Sequence, residues 1–203
     1  MNFPAPLVDG YTVEGKLYGI PKDFDTNAVF YNKEIFDQAG VAYPTDGWTF
    51  EDFRKTCEDL QAAGLPDGVY PTAINRNSGQ TTYDAAVFAN GGYFLSEGNE
   101  KSGWDDPKTI EAMQQLEEWI KAGVMPSIET MSENGPDVLL KSGKTAMSFH
   151  GSWMISSFKE EDYIKENCDC AVMPMDAESG RRVSIYNGLG WAAAANGDNT
   201  ENA

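Results

Sequence analysis

Metal and nucleophile chemistry has little to work with here: the chain holds one histidine and three cysteines in 203 residues. Cys57, Cys168 and Cys170 are an odd set, and the Cys168-x-Cys170 spacing is too tight for an easy disulfide. A zinc site of Cys/His type would have to gather all of these scattered groups, so the thiols read as buried and inert and do not fix a compartment. No metal or other cofactor is expected. Neither phosphate-loop spacing, GxGxxG or GxxxxGK[ST], occurs, and an EF-hand ladder of calcium ligands is absent. No apolar run approaches the roughly 20 residues of a membrane helix. No basic stretch leads into an apolar one, so no export signal is visible. Basic side chains are scarce, 15 against 32 acidic, for a formal charge of −17. Such a surface repels phosphate backbones and anionic headgroups, which argues against nucleic acid and lipid partners.

Catalytic constellations are equally thin. His150 and Ser152 stand two residues apart, which is not a triad, and SFHGSW lacks the second glycine of a nucleophile elbow. Asp23, Asp25 and Asp84 could pair for glycoside hydrolysis. With 32 carboxylates in the chain, however, some near any loop are expected by chance.

What is present is a foldable core: 41% hydrophobic and 12% aromatic residues rule out a disordered chain. The length fits one large domain or two small ones. Strand and helix signals alternate, the mark of an α/β layer fold. Leu17 to Ile20 and Ala28 to Tyr31 are short strand candidates on either side of Pro21–Asn27. Lys33 to Ala39 reads as a helix stopped by Gly40. Thr49 and Asp52 form a capping box, with Trp48 and Phe53 at the staple positions and Phe50, Phe53, Cys57 and Leu60 at helical spacing. Tyr70 to Ile74 is a strand candidate before the polar loop Asn75 to Gln80, and a helix from about Thr81 ends at Asn90-Gly91-Gly92. Asp106-Pro107 opens a helix whose apolar face reads as Ile110, Met113, Leu116 and Ile120. Pro136 to Lys141, Ala171 to Met173 and Gly188 to Ala195 are the remaining candidates. Trp48, Trp104 and Trp119 are assigned to core or staple duties. The loop-like MNFPAP start and the cap-like Asn199-Thr200-Glu201 end read as part of something longer.

The stretch GKTAMSFHGSWMISSF carries the most information. A buried-strand pattern, Thr145 to Phe149, ends in His150-Gly151-Ser152, and Trp153 opens the next helix. Ligands of open α/β sheets collect at the carboxyl ends of strands. A flat indole placed there suits a ring that bears hydroxyls.

Five segments then match one family in order. They are GKLYGIPKDFDTNAVFYNKEIFDQAGV, PTDGWTFEDFRKTCEDLQAAG, FANGGYF, LLKSGKTAMSFHGSWM and YNGLGWAAAAN. Together they resemble the extracytoplasmic solute-binding proteins of ABC sugar importers, the maltose-binding-protein-like group. The resemblance implies a periplasmic-binding-protein-like α/β fold of two lobes closing on a ligand, with this chain as a central fragment, mostly the second lobe. Residues 1–27 would be a first-lobe remnant and the first hinge crossing, 28–187 the second lobe, and 188–203 the return crossing.

It also implies roles for particular residues. Asp25 and Asn27 would meet sugar hydroxyls from the first crossing, and Asn77 and Tyr83 from the loop entering the cleft. Trp153 would stack on a sugar ring, and Asn187 and Trp191 would act from the return crossing. The implied protein is a non-enzymatic receptor, in the periplasm or lipid-anchored at the outer face of the membrane, with a permease as partner. With half a cleft, this fragment is expected to bind at millimolar concentration or worse, and exposed strand edges to favour dimerisation. A glycoside-active enzyme and a receptor for a non-sugar solute such as a polyamine stay open as alternatives.

Overall fold

The sequence TAMSFHG has no solvated face, and the fold places it accordingly. In the computed structural model, which describes residues 3–75, 81 and 83–197, all seven of its residues are buried as strand β6 (Thr145–Gly151). β6 lies inside a four-stranded sheet of order β5-β6-β4-β7. The others are β4 (Asn27–Asn32), β5 (Tyr70–Ala73) and β7 (Cys168–Ala171). β5 runs parallel to β6, whereas β4 is antiparallel to both β6 and β7. A strand buried on both faces keeps no solvated side, and in β6 the polar Thr145, Ser148 and His150 are buried along with Ala146, Met147 and Phe149.

The pleat sorts these residues into two cores. Met147 and Phe149 face one side with Val29 and Tyr31 of β4, and Phe53 of helix α3 (Phe50–Ala62) packs 5.3 Å from the Phe149 ring. This large core also takes in Trp48, Leu116, Trp119 and Met125. On the opposite face His150 and Phe30 meet Phe158, with Leu140 and Ile164 completing a smaller cluster. Helices therefore cover both faces of the sheet. In chain order these are α2 (Lys33–Ala39), α3, α4 (Tyr83–Ala89), α5 (Pro107–Lys121), α6 (Ile128–Glu133), α7 (Pro136–Lys141), α8 (Ile155–Phe158) and α9 (Asp162–Asn167). The capping box on α3 forms as expected: Thr49 Oγ1 accepts from the Asp52 N–H, and Asp52 Oδ2 accepts from the Thr49 N–H.

The described chain divides into two compact units. One is Asn27–Ile185, and the other joins the segment ending at Thr26 to that beginning at Tyr186. In the smaller unit, a short helix α1 (Ala5–Asp9) precedes a hairpin of β1 (Thr12–Val13) and β2 (Lys16–Leu17). Strand β3 (Ile20–Asp25) then pairs antiparallel with β8 (Asn187–Trp191), with Asp25 opposite Asn187 and Ile20 opposite Trp191.

Four readings need correction. The Pro21–Asn27 segment is mostly strand, not a connection. Proline is tolerated because its ladder has only two strands and its register shifts between Pro21 and Asp23. The buried face of α5 is Thr109, Ala112, Leu116 and Trp119, and Ile110 is exposed. Met113 and Ile120 still pack against the core from partly buried positions, and the Trp119 ring, assigned to core or staple duties, seats against Phe53, so only Ile110 departs from the expected stripe. Trp104 is 53% exposed, so it is not a core residue. Of the thiols only Cys57 is buried; Cys170 is exposed on β7, an edge of the sheet. Burial still pushes all three thiols up, so they stay protonated.

Candidate functional site

Parallel pairing decides where the site forms. Because β5 and β6 run the same way, their carboxyl ends reach the same edge of the sheet, and antiparallel β4 begins there. Asn75, just past β5, therefore meets the turn after β6, and Asn27 lies in register with Gly151. A cavity of about 220 Å³ opens at this edge, lined by Asn75, Thr81, Pro136, Asp137, Phe149, His150, Trp153 and Met154.

Trp153 sits in a single 3₁₀ turn (Ser152–Met154) and is 42% exposed, so one wall of the cavity is an accessible indole. Its position depends on Gly151. A Cβ on Gly151 would lie 2.0 to 2.3 Å from three carbons of the indole six-membered ring, so the ring is folded directly over the glycine. The Gly151 backbone is ordinary extended chain (φ −84°, ψ 159°), so the glycine is needed for this close approach and not for an unusual conformation.

Behind the indole the wall is polar and fixed. Ser148 Oγ and His150 Nε2 share a hydrogen bond of 2.8 Å inside the sheet. Burial pulls the His150 imidazole down to about 4, with Asp137 opposing and Lys141 adding to the fall. The ring is thus neutral at physiological pH. Asn27 is buried; its N–H donates to Ser184 Oγ (2.8 Å), and Ser184 Oγ donates back to the Asn27 carbonyl (3.1 Å). Among the described residues no group of three or more His, Cys, Asp or Glu side chains is placed to hold a metal ion.

A sequence profile of the bacterial extracellular solute-binding protein family matches residues 2–203. The chain belongs to that family. It is 24% identical over 189 residues to the maltodextrin-binding protein MdxE of Bacillus subtilis, covering 90% of this chain and 43% of that protein. It is 26% identical over 184 residues to the sn-glycerol-3-phosphate-binding periplasmic protein UgpB of Shigella dysenteriae, covering 86% and 40%. Among solved structures, the ABC substrate-binding protein Lmo0181 of Listeria monocytogenes, in complex with cycloalternan, superposes with a TM-score of 0.79 at 25% identity. That match covers 98% of this chain and 49% of the other. This solute-binding chain therefore has the periplasmic-binding-protein-like fold, and it spans less than half the length of each of these relatives. No helix among the described residues is long and apolar enough to cross a membrane.

The remaining sequence candidates fall in several places. Asp25 and Asn187 pair across β3 and β8 in the smaller unit. Trp191, 66% exposed, lines a cavity of about 550 Å³ with Leu17, Tyr18, Gly19, Ile20, Ala192 and Ala193 in that unit. Tyr83 packs against Phe94 and Trp104 and does not line the Trp153 cavity. Asn77 lies outside the described residues. The carboxylates considered for catalysis are differently placed: the Lys22 ammonium, 2.6 Å away, holds Asp23 below the usual range, while burial pushes Asp84 up to about 6.

Sequence reasoning missed Asn75, Asp137 and Gly151. Gly151 had a local signal, a glycine two residues before an aromatic at a strand end. Asp137 had none, since only the packing of α7 against β6 brings it to the cavity.

Proposed function

We propose that this chain is the ligand-receiving part of an extracytoplasmic carbohydrate receptor, which captures a mono- or oligosaccharide and delivers it to the permease of an ABC importer. The observation that carries this reading is the accessible Trp153 indole walling a polar-lined cavity at the carboxyl edge of β5 and β6. Aromatic faces bind the apolar faces of sugar rings, while amide, carboxylate and hydroxyl groups read the hydroxyl pattern. Asn75, Thr81 and Asp137 supply those groups here. The names of MdxE and of the Lmo0181 complex lend support, because they give maltodextrin and cycloalternan as the bound molecules.

In the whole protein, Asp25, Asn27 and Asn187 are proposed as further hydroxyl contacts and Trp191 as a second stacking surface. The chain passes from one unit to the other at residues 26–27 and again at 185–186. That connectivity supports reading residues 1–27 and 188–203 as crossings toward a first lobe and 28–187 as the second, with hinge closure reporting the loaded state to the permease. Location outside the membrane, in a periplasm or lipid-anchored, follows from the same reading.

Calorimetric titration of the whole protein and of Trp153→Ala with mono- and oligosaccharides tests the proposal. The variant should lose about 0.5–1.5 kcal/mol beyond the lost contact area. Unchanged affinity removes Trp153 from the site. Heat only from glycerol phosphate or a polyamine overturns the solute class, and new reducing ends in the mixture overturn the receptor reading.

A further inference from the structure

Trp104 is accounted for neither by the core nor by the Trp153 cavity. More than half of its surface is open to solvent, yet the ring is firmly held. Its centroid lies 4.8 Å from that of Phe94 and 6.1 Å from that of Tyr83. Phe94 in turn makes edge contacts with Tyr83 and Phe88, both on α4. The loop beneath is tied by its own hydrogen bonds: the Ser96 N–H donates to the Lys101 carbonyl (3.0 Å), and the Gly103 N–H donates to the Phe94 carbonyl (2.9 Å). Gly103 is pressed so closely on Tyr93 that a Cβ there would lie 2.1 Å from the Tyr93 carbonyl oxygen. An indole held this way loses little conformational freedom when it binds something.

In front of it is a cavity of about 690 Å³ lined by Tyr93, Lys101, Ser102, Trp104 and Asp105. That size falls in the range of small-molecule sites, about 300–1,000 Å³. It shares no lining residue with the Trp153 cavity. The charges select the ligand class. Lys101 repels a cation that would otherwise sit on the rings. Asp105 and the chain's −17 charge repel an anion. A donor, an acceptor and two aromatic rings remain, which fit a neutral hydroxylated ring.

We infer that the Tyr93–Trp104 cavity is a second carbohydrate site, separate from the one at Trp153, holding a sugar ring on the Trp104 indole. This rests on the sugar reading proposed above. Two such sites on one lobe would raise the effective concentration of a long saccharide at the receptor.

The test uses the whole protein labelled with ¹⁵N-tryptophan, with the indole N–H signals of residues 104 and 153 assigned through Trp104→Phe and Trp153→Phe. The probes are malto- and galacto-oligosaccharides of graded length, with glycerol phosphate and choline as charged controls. The Trp104 signal should shift saturably with an oligosaccharide, and the shift should persist in Trp153→Ala. If Trp153 responds and Trp104 stays still at tenfold cleft saturation, the second site is refuted and the receptor reading stands. If neither responds to any sugar, both fall. A Trp104 response confined to a charged control refutes the assigned ligand class.

Discussion

Gly151→Ala is the sharpest probe of how the site is built, because it separates stability from binding. The added methyl would sit 2.0 to 2.3 Å from the Trp153 ring, far inside van der Waals contact, so the indole must leave its place over the strand end. The backbone there (φ −84°, ψ 159°) accepts alanine without strain. Replacing glycine at a compatible position stabilises by about 0.4–1 kcal/mol through the unfolded state. The indole is 42% exposed and can swing outward without opening a core cavity. Melting temperature should therefore hold or rise, while sugar affinity falls by the stacking contribution of about 0.5–1.5 kcal/mol, roughly 2- to 13-fold. Calorimetric titrations of the whole protein, its Gly151→Ala and Trp153→Ala variants and the double variant give the cycle. In the Trp153→Ala background the glycine change should add nothing, since the three atoms nearest the new methyl are gone. Intact affinity in Gly151→Ala, or an equal loss in both backgrounds, would refute the idea that the glycine acts through the indole.

Acid should weaken the fold through His150. Its folded value, about 4, lies below the ordinary 6.5, so its contribution is complete above pH ~6.5 and drains away as pH falls toward 4. Asp84, raised to about 6, opposes that slope, so the comparison is made in Asp84→Asn, where urea melts should show up to about 1.4 kcal/mol per pH unit in that window and His150→Phe should flatten it. Thr49→Ala removes half of the α3 capping box and should cost about 0.5–2 kcal/mol in the same assay, with sugar binding unchanged. Leu116→Ala empties a site that is 1% exposed in the main core and should cost about 2–5 kcal/mol; a smaller loss would mean that α5 can collapse onto Phe53.

Local chemistry was legible in the sequence wherever one turn or one pleat contains the whole signal. The Thr49–Asp52 box, the Gly40 stop of α2 and the buried run of β6 are all short-range patterns, and each formed. Trp153 at the end of that run was legible for the same reason. The edge of the α5 face was not. Ile110 shares the helical spacing of Met113, Leu116 and Ile120, yet it is 40% exposed while those three and Trp119 pack on the core, and periodicity alone cannot say where a neighbouring element stops covering a helix. Trp104 was misread because large aromatics are usually buried; its exposure follows from a loop folded back on Tyr93, a contact that composition does not encode.

Taken alone, the sequence determined an acidic α/β chain with an aromatic at a strand end, because charge, pleat and helix period act over a few residues. The tertiary structure alone decided that Asn75, Asp137 and Trp153 share one cavity while Tyr93 and Trp104 share another. Those groupings depend on β5 lying parallel to β6 and on which helix packs at each strand end. Such long-range pairings are set by the whole core, not by any segment of it.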